Sequence, residues 1–271
     1  LGVKKGDRIV GFIPNIPEAV IAMLSSSAIG AVWSSCSPDF GVKGVLDRFS
    51  QINPSVIVTS NGYYFKGKSF SNSSKLSKII DALPSIKKTI IVKYIQDSSI
   101  NEIPNSIYWD DFSLSSDTEL KFESLRFSHP LYIMYSSGTT GVPKSIVHSA
   151  GGTLLQHLKE LILHTNLTSE DTIFYYTTCG WMMWNWLISS LYVGSTVVLF
   201  DGNPFYPNPQ FLLNIADDIK ISIFGTSAKY ISSLESYGVI PSDISSFNNL
   251  KVILSTGSPL SNESYDYVYD Y

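Results

Sequence analysis

The sequence is short of charge and nearly free of cysteine. Asp, Glu, Lys and Arg make up 15% of the 271 residues and the net charge is −4, with no cluster of Lys and Arg. A nucleic-acid surface, which needs a basic stripe to follow a phosphate backbone, is therefore not expected. The two cysteines, Cys36 and Cys179, stand in apolar surroundings, which reads as reduced, packed thiols of a cytoplasmic protein rather than a disulfide framework. Several catalytic signatures are also missing. No Gly-x-Ser-x-Gly elbow occurs, no Gly-x-x-x-x-Gly-Lys-Ser/Thr loop, and no Gly-x-Gly-x-x-Gly behind a strand. His148, His157 and His164 do not make the i, i+4 pair of a helical zinc site, so no metal-ligand set is expected among them.

Apolar residues are plentiful, at 44%. Ala19 to Pro38 and Trp181 to Phe200 both run without a charge, but serines and a glycine interrupt each, and the second turns β-branched at Thr196. Each reads as a buried helix followed by a buried strand rather than a membrane span. The rest alternates in the same way. Strands are predicted over 8–13, 31–35, 55–59, 89–94, 172–177, 196–200, 221–224 and 251–254. Helices are predicted over 18–29, with Pro17 in the first turn, and over 41–52, 76–83, 148–164, 209–219, 227–235 and 262–271. This alternation implies an α/β fold with mainly parallel sheets covered by helices. Residues 61–75 are expected to be a loop, and 96–127 a polar excursion anchored at Tyr108 to Phe112. Approximate subdomains are read at 1–127 and 128–271.

One stretch stands apart. The apolar run Leu131 to Tyr135 leads into Ser136-Ser137-Gly138-Thr139-Thr140-Gly141-Val142-Pro143-Lys144. Gly138 and Gly141 can turn backbone N–H groups toward an anion, the four hydroxyls add donors, and Lys144 adds a mobile positive charge. On composition alone an ordinary Ser/Gly turn and a phosphate loop fit equally well. A helix starting at His148 would bring its positive end to the loop.

The order of those nine residues resembles the phosphate-loop signature of the adenylate-forming superfamily of acyl-CoA synthetases, luciferases and peptide-synthetase adenylation domains. Trp33 to Gly41, Thr177 to Asn185 and Ile253 to Leu260 are similar to the acetoacetyl-CoA synthetase branch of that family, so the resemblance covers nearly the whole chain. It implies an incomplete N-terminal adenylation domain over 1–271, with the C-terminal domain and its catalytic lysine absent, and little turnover by these residues alone. The implied reaction converts acetoacetate to acetoacetyl-CoA through an acyl adenylate, with ATP, Mg²⁺ and CoA as small-molecule partners. ATP contacts are implied for Ser136, Ser137, Gly138, Thr139, Thr140, Gly141, Lys144, Gly257, Ser258 and Pro259, with Lys144 in the catalytic role. Acyl contacts are implied for Trp181, Met183, Asn185 and Thr256. On residue type alone, the tryptophans and methionines of 181–186 read as simple core. Lys68 is implied for CoA, although residue type and context favour a solvated loop lysine. Two alternatives stay open, an acetyl- or propionyl-CoA ligase and a phosphate-binding remnant without catalysis.

Overall fold

The computed structural model describes residues 1–96, 100, 103–112, 119–136 and 141–271. They divide into two compact units, the first comprising 1–156 and 178–182, the second 157–177 and 183–271. The first unit thus runs past the 127/128 division read from the sequence. The reason is that the strand at residue 130 joins the first sheet.

That sheet contains β1 (Arg8–Phe12), β2 (Val32–Cys36), β3 (Val56–Ser60), β6 (Lys88–Val92), β7 (Ser106–Tyr108), β8 (Pro130–Ser136) and β9 (Lys144–Ser149). Its order is β7-β6-β3-β1-β2-β8-β9, parallel throughout except for the β8–β9 pair. The central strands β2 and β3 are buried along their whole length, as strands covered on both faces must be. One face packs Val10, Phe12, Val32 and Ile57 against Val45 and Phe49 of α2 (Val42–Phe49) and Leu76 and Ile79 of α3 (Ser73–Ala82). The helix α1 (Pro17–Ala28) begins with the expected proline in its first turn. The anchor at Tyr108 to Phe112 is the end of β7 and the short helix α4 (Trp109–Phe112).

Two expectations are overturned in this unit. Residues 61–75 are not a loop: β4 (Gly62–Phe65) and β5 (Lys68–Ser71) form an antiparallel hairpin, and α3 starts at Ser73. Its two-residue turn, Lys66 and Gly67, has φ of 49° and 73°, the doubly positive geometry that suits the twist of a hairpin. A Lys-Gly pair hides that geometry, whereas Asn-Gly would have advertised it. Tyr63 and Phe70 stack across the ribbon with centroids 5.3 Å apart.

The second correction concerns 144–149. The helix predicted from His148 begins at Ala150, after β9, because pairing with β8 prevails over the helical spacing of the leucines. α5 (Ala150–Leu158) continues as a π-helical turn over Lys159–His164. Along this helix Leu161 is buried while Leu154, Leu155 and Ile162 are exposed. Thr153, His157 and Leu161, spaced four apart, are the inward row instead.

The second unit is a four-stranded parallel sheet of order β11-β10-β12-β13, from β10 (Thr172–Tyr175), β11 (Thr196–Val198), β12 (Ile223–Ser227) and β13 (Val252–Thr256). Period-two alternation separates its faces. Phe174 and Phe224 pack with Leu212 and Ala216 of α7 (Phe211–Asp218), Tyr230, Ile231 and Leu234 of α8 (Ala228–Ser236) and Tyr267 of α9 (Asn262–Asp270). Their neighbours Ile173, Tyr175 and Ile223 pack on the other face with Leu161 and with Trp186 and Leu187 of α6 (Met182–Ser189). Both charge-free runs resolve into helix and strand, and among the described residues no helix is long and apolar enough to cross a membrane.

One carboxylate ties together the starting ends of three strands. Asp171, Ser222 and Lys251 each immediately precede β10, β12 and β13. Asp171 Oδ1 accepts from Ser222 Oγ at 2.8 Å and Lys251 Nζ at 2.7 Å, and Oδ2 accepts from the Thr168 N–H and Oγ1 at 2.9 and 2.8 Å. Burial alone would push this carboxyl up; the bonds from Lys251, Ser222 and Thr168 outweigh it and hold the group down at about 2. Because the folded value is depressed, the stabilisation is fully present above the unfolded value near 4 and is lost as pH falls toward 2. Lys251 is 61% exposed, so water screens part of the pair and a contribution of about 1–2 kcal/mol is expected. Urea unfolding of Asp171→Asn should therefore show a deficit of about that size at pH 6 that shrinks steadily below pH 4.

A close approach at Gly225 generates a further test. A Cβ there would sit 2.1 Å from the Tyr175 ring, and both groups are fixed in paired strands. Gly225→Ala should cost about 1–3 kcal/mol by overpacking, and Tyr175→Leu in the same chain should recover part of the loss, read as the shift in urea midpoint.

Candidate phosphate-loop hairpin and strand-end sites

In the first unit the apolar β8 delivers the chain to the loop and β9 takes it back. Ser136 and Lys144 are cross-strand partners, so the register places Lys144 at the mouth of the loop, where it is exposed. Gly141 has φ of 109°, and open space surrounds the position a Cβ would occupy. Ser136, Gly141 and Lys144 are therefore brought together. Ser137, Gly138, Thr139 and Thr140 lie outside the described residues. The expected helix positive end is not at this loop, since the six residues of β9 carry the start of α5 roughly 20 Å along the strand. Lys144 is thus the one cation that the described part of the loop presents.

The hairpin base is fastened to the end of α2. Tyr135 donates its hydroxyl to the Arg48 carbonyl at 3.0 Å, and the Arg48 guanidinium lies over the Phe40 and Tyr135 rings, 4.9 and 5.7 Å from their centroids. Burial pushes the Tyr135 phenol well up, keeping it a neutral donor. Opposite Tyr135 stands Ser145, whose Oγ donates to Gln51 Oε1 at 2.7 Å. Neither Arg48 nor Gln51 was singled out from the sequence. Their partners Tyr135 and Ser145 lie 87 and 94 positions away, beyond the reach of local pattern.

In the second unit, strand ends converge as parallel pairing requires: Tyr175 pairs with Gly225, and Ser227 with Thr256. Ligands of open parallel sheets meet this carboxyl edge. Beyond Thr256 the chain turns at Gly257, with φ of 91°, into Ser258 and Pro259, all exposed. Tyr175 was not foreseen. Its hydroxyl donates to the Thr226 carbonyl at 3.0 Å and lies 2.7 Å from Thr256 Oγ1, so the phenol orients the threonine that the sequence put forward. Only the bare Gly225 lets the ring lie flat across β12. Burial pushes the Tyr175 phenol up, while the Thr256 bond pulls it back down in part.

The other sequence candidates differ in burial. Met183 is half-buried against the Leu161 and Trp186 cluster, and Asn185, also on α6, is fully buried. Trp181, in the first unit's 178–182 segment, is 64% exposed. Lys68 opens β5 and is exposed. Cys36 and Cys179 are both buried; burial pushes the Cys36 thiol up to about 12, and Cys179 Sγ donates to the Pro14 carbonyl at 3.2 Å. Both are therefore packing groups rather than thiolate nucleophiles.

Comparison with known proteins gives a consistent result. The family model described as AMP-binding enzyme matches residues 1–270. An acetoacetyl-CoA synthetase of Danio rerio is 52% identical over 99% of this chain, and an acetoacetyl-coenzyme A synthetase of Rhizobium meliloti (strain 1021) is 47% identical over 99%. The solved structure of acetoacetyl-CoA synthetase from Streptomyces lividans superposes with a TM-score of 0.93 at 40% identity, covering 99% of this chain. The chain spans 41% of the Danio rerio relative and 41% of the Streptomyces lividans chain. The fold, the hairpin register and these likenesses agree: this chain belongs to the AMP-binding enzyme family.

Proposed function

We propose that this chain is part of the N-terminal adenylation domain of an acetoacetate–CoA ligase. The observation that carries the reading is the placement of Lys144 opposite Ser136 at the loop mouth, in a chain about half identical to acetoacetyl-CoA synthetases. In the reaction, an acetoacetate carboxylate oxygen attacks the α-phosphorus of ATP and pyrophosphate leaves. The CoA thiol then attacks the acyl carbon of the adenylate, forming acetoacetyl-CoA and releasing AMP. No protein nucleophile is required, which accords with buried cysteines. The chain's task is to align anions and meet the charge that builds on the phosphates.

Ser136, Gly141 and Lys144 offer a hydroxyl, backbone N–H groups and a cation, and the sequence adds Ser137, Gly138, Thr139 and Thr140. This donor set fits phosphate oxygens and contains no carboxylate. Mg²⁺ would accordingly enter with ATP, and it supplies charge neutralisation on the phosphates when bound. Gly257, Ser258 and Pro259 are assigned to the adenine through their backbone, and Met183, Asn185, Thr256 and Trp181 to the acyl group. Tyr175 acts through Thr256. Lys68, on an exposed ribbon with Lys66, is assigned to CoA. The buried thiols are in keeping with a cytoplasmic protein.

Lys144→Ala in the complete ligase should lower acetoacetate-dependent ATP–pyrophosphate exchange about 100-fold. Because Lys144 is exposed, the thermal midpoint should stay within about 2 °C. Exchange at the unaltered rate would remove Lys144, and with it the loop, from the proposed site. A panel of acetate, propionate and acetoacetate separates this ligase from one acting on simpler acids.

A further inference from the structure

Gln51 is an exposed side chain that makes three short hydrogen bonds, an unusual amount of order for a surface amide. Its Nε2 donates to the Asp47 carbonyl at 2.6 Å and to the Pro143 carbonyl at 2.7 Å, while Oε1 accepts from Ser145 Oγ at 2.7 Å. Holding a glutamine in one rotamer costs side-chain entropy, so the bonds have to more than offset this. The first bond satisfies an orphan carbonyl in the last turn of α2, an ordinary capping role. The other two have nothing to do with the helix. They grip the residues on either side of Lys144.

Geometry makes that grip directional. Side chains alternate along a strand, so a Ser145 that faces Gln51 sends Lys144 to the opposite face of β9. Across the ladder, Tyr135 is fixed to the Arg48 carbonyl, the same carbonyl that accepts the Gln51 backbone N–H at 3.1 Å. The cross-strand pair Tyr135 and Ser145 is thus held from the end of one helix on both strands. A slip of one residue in β9 would break the Pro143 and Ser145 bonds together and turn Lys144 to the wrong face.

We propose that Gln51 is a positioning residue for Lys144, fixing the register and facing of the lysine at the loop mouth; this rests on the phosphate-loop reading above. Gln51 itself touches no substrate. It sets where the cation stands before ATP arrives, so its loss should weaken nucleotide use without altering the acyl site.

The test is a double-mutant cycle in the complete ligase, followed by acetoacetate-dependent ATP–pyrophosphate exchange. Gln51→Ala should raise KM for MgATP about tenfold, leave KM for acetoacetate unchanged, and shift the thermal midpoint little. Gln51→Glu keeps an acceptor for Ser145 but turns a carboxylate toward two carbonyls, and should do no better than alanine. In the Lys144→Ala background, Gln51→Ala should add no further rise, because an effect routed through the lysine vanishes with it. Full additivity of the two changes, or equal rises in both KM values with a lowered thermal midpoint, would reduce Gln51 to a helix cap and overturn the proposal. So would an unchanged MgATP KM in Gln51→Ala beside an impaired Lys144→Ala. If Lys144→Ala itself were normal, the phosphate-loop reading would fall first and the positioning role with it.

Discussion

The antiparallel pairing of β9 with β8 is the constraint on which the rest of the first-unit site depends. Six strands of that sheet run one way, and the seventh reverses. The reversal forces a loop immediately after Ser136 and returns the chain at Lys144, in a register set by ladder hydrogen bonds. It also relocates the following helix. A helix starting directly at the loop would have offered its own N–H groups and dipole to an anion. With a strand interposed, the electrostatic burden in the described part of the loop rests on a single flexible ammonium, and its orientation becomes the variable that neighbouring elements must control.

Much of the fold was legible because its physics is local. The helix of 17–28 and the strands of 8–12, 56–60 and 252–256 carry their own punctuation and hydrophobic period. The all-parallel sheet of the second unit followed from strand and helix alternation, and its Phe174/Ile173 and Phe224/Ile223 pairs keep the two-residue period. Legibility failed where a distant partner decided the outcome. Val147 and Ile146 sit ahead of a leucine-rich helical pattern, and only β8 makes them a strand. The ribbon of 62–71 was concealed by small polar residues around its aromatic pair.

The same division holds for the candidate sites. Ser136, Gly141 and Lys144 announced themselves as a cluster of small donors with one cation, and Thr256 to Pro259 came from family resemblance. Their supporting residues did not. Tyr175 matters because its ring crosses a bare glycine fifty positions later to meet Thr256, and Gln51 because it reaches Pro143 and Ser145. Residue type gave no sign of either, since a tyrosine in an apolar strand and a glutamine past a helix are commonplace.

The carboxylate of Asp171 has a consequence that lies outside the sites themselves. It binds the entry points of β10, β12 and β13, whereas Tyr175, Ser227 and Thr256 stand at their exits, about 13–17 Å away at strand rise. Cohesion is thereby concentrated at one rim of the sheet, and the proposed ligand contacts stand at the other. Substitutions that reshape the exit rim leave the fastening of the entry rim intact. A sheet arranged in this way can vary at its exit rim while its fold stays anchored, leaving room for related chains to diverge there on a common frame.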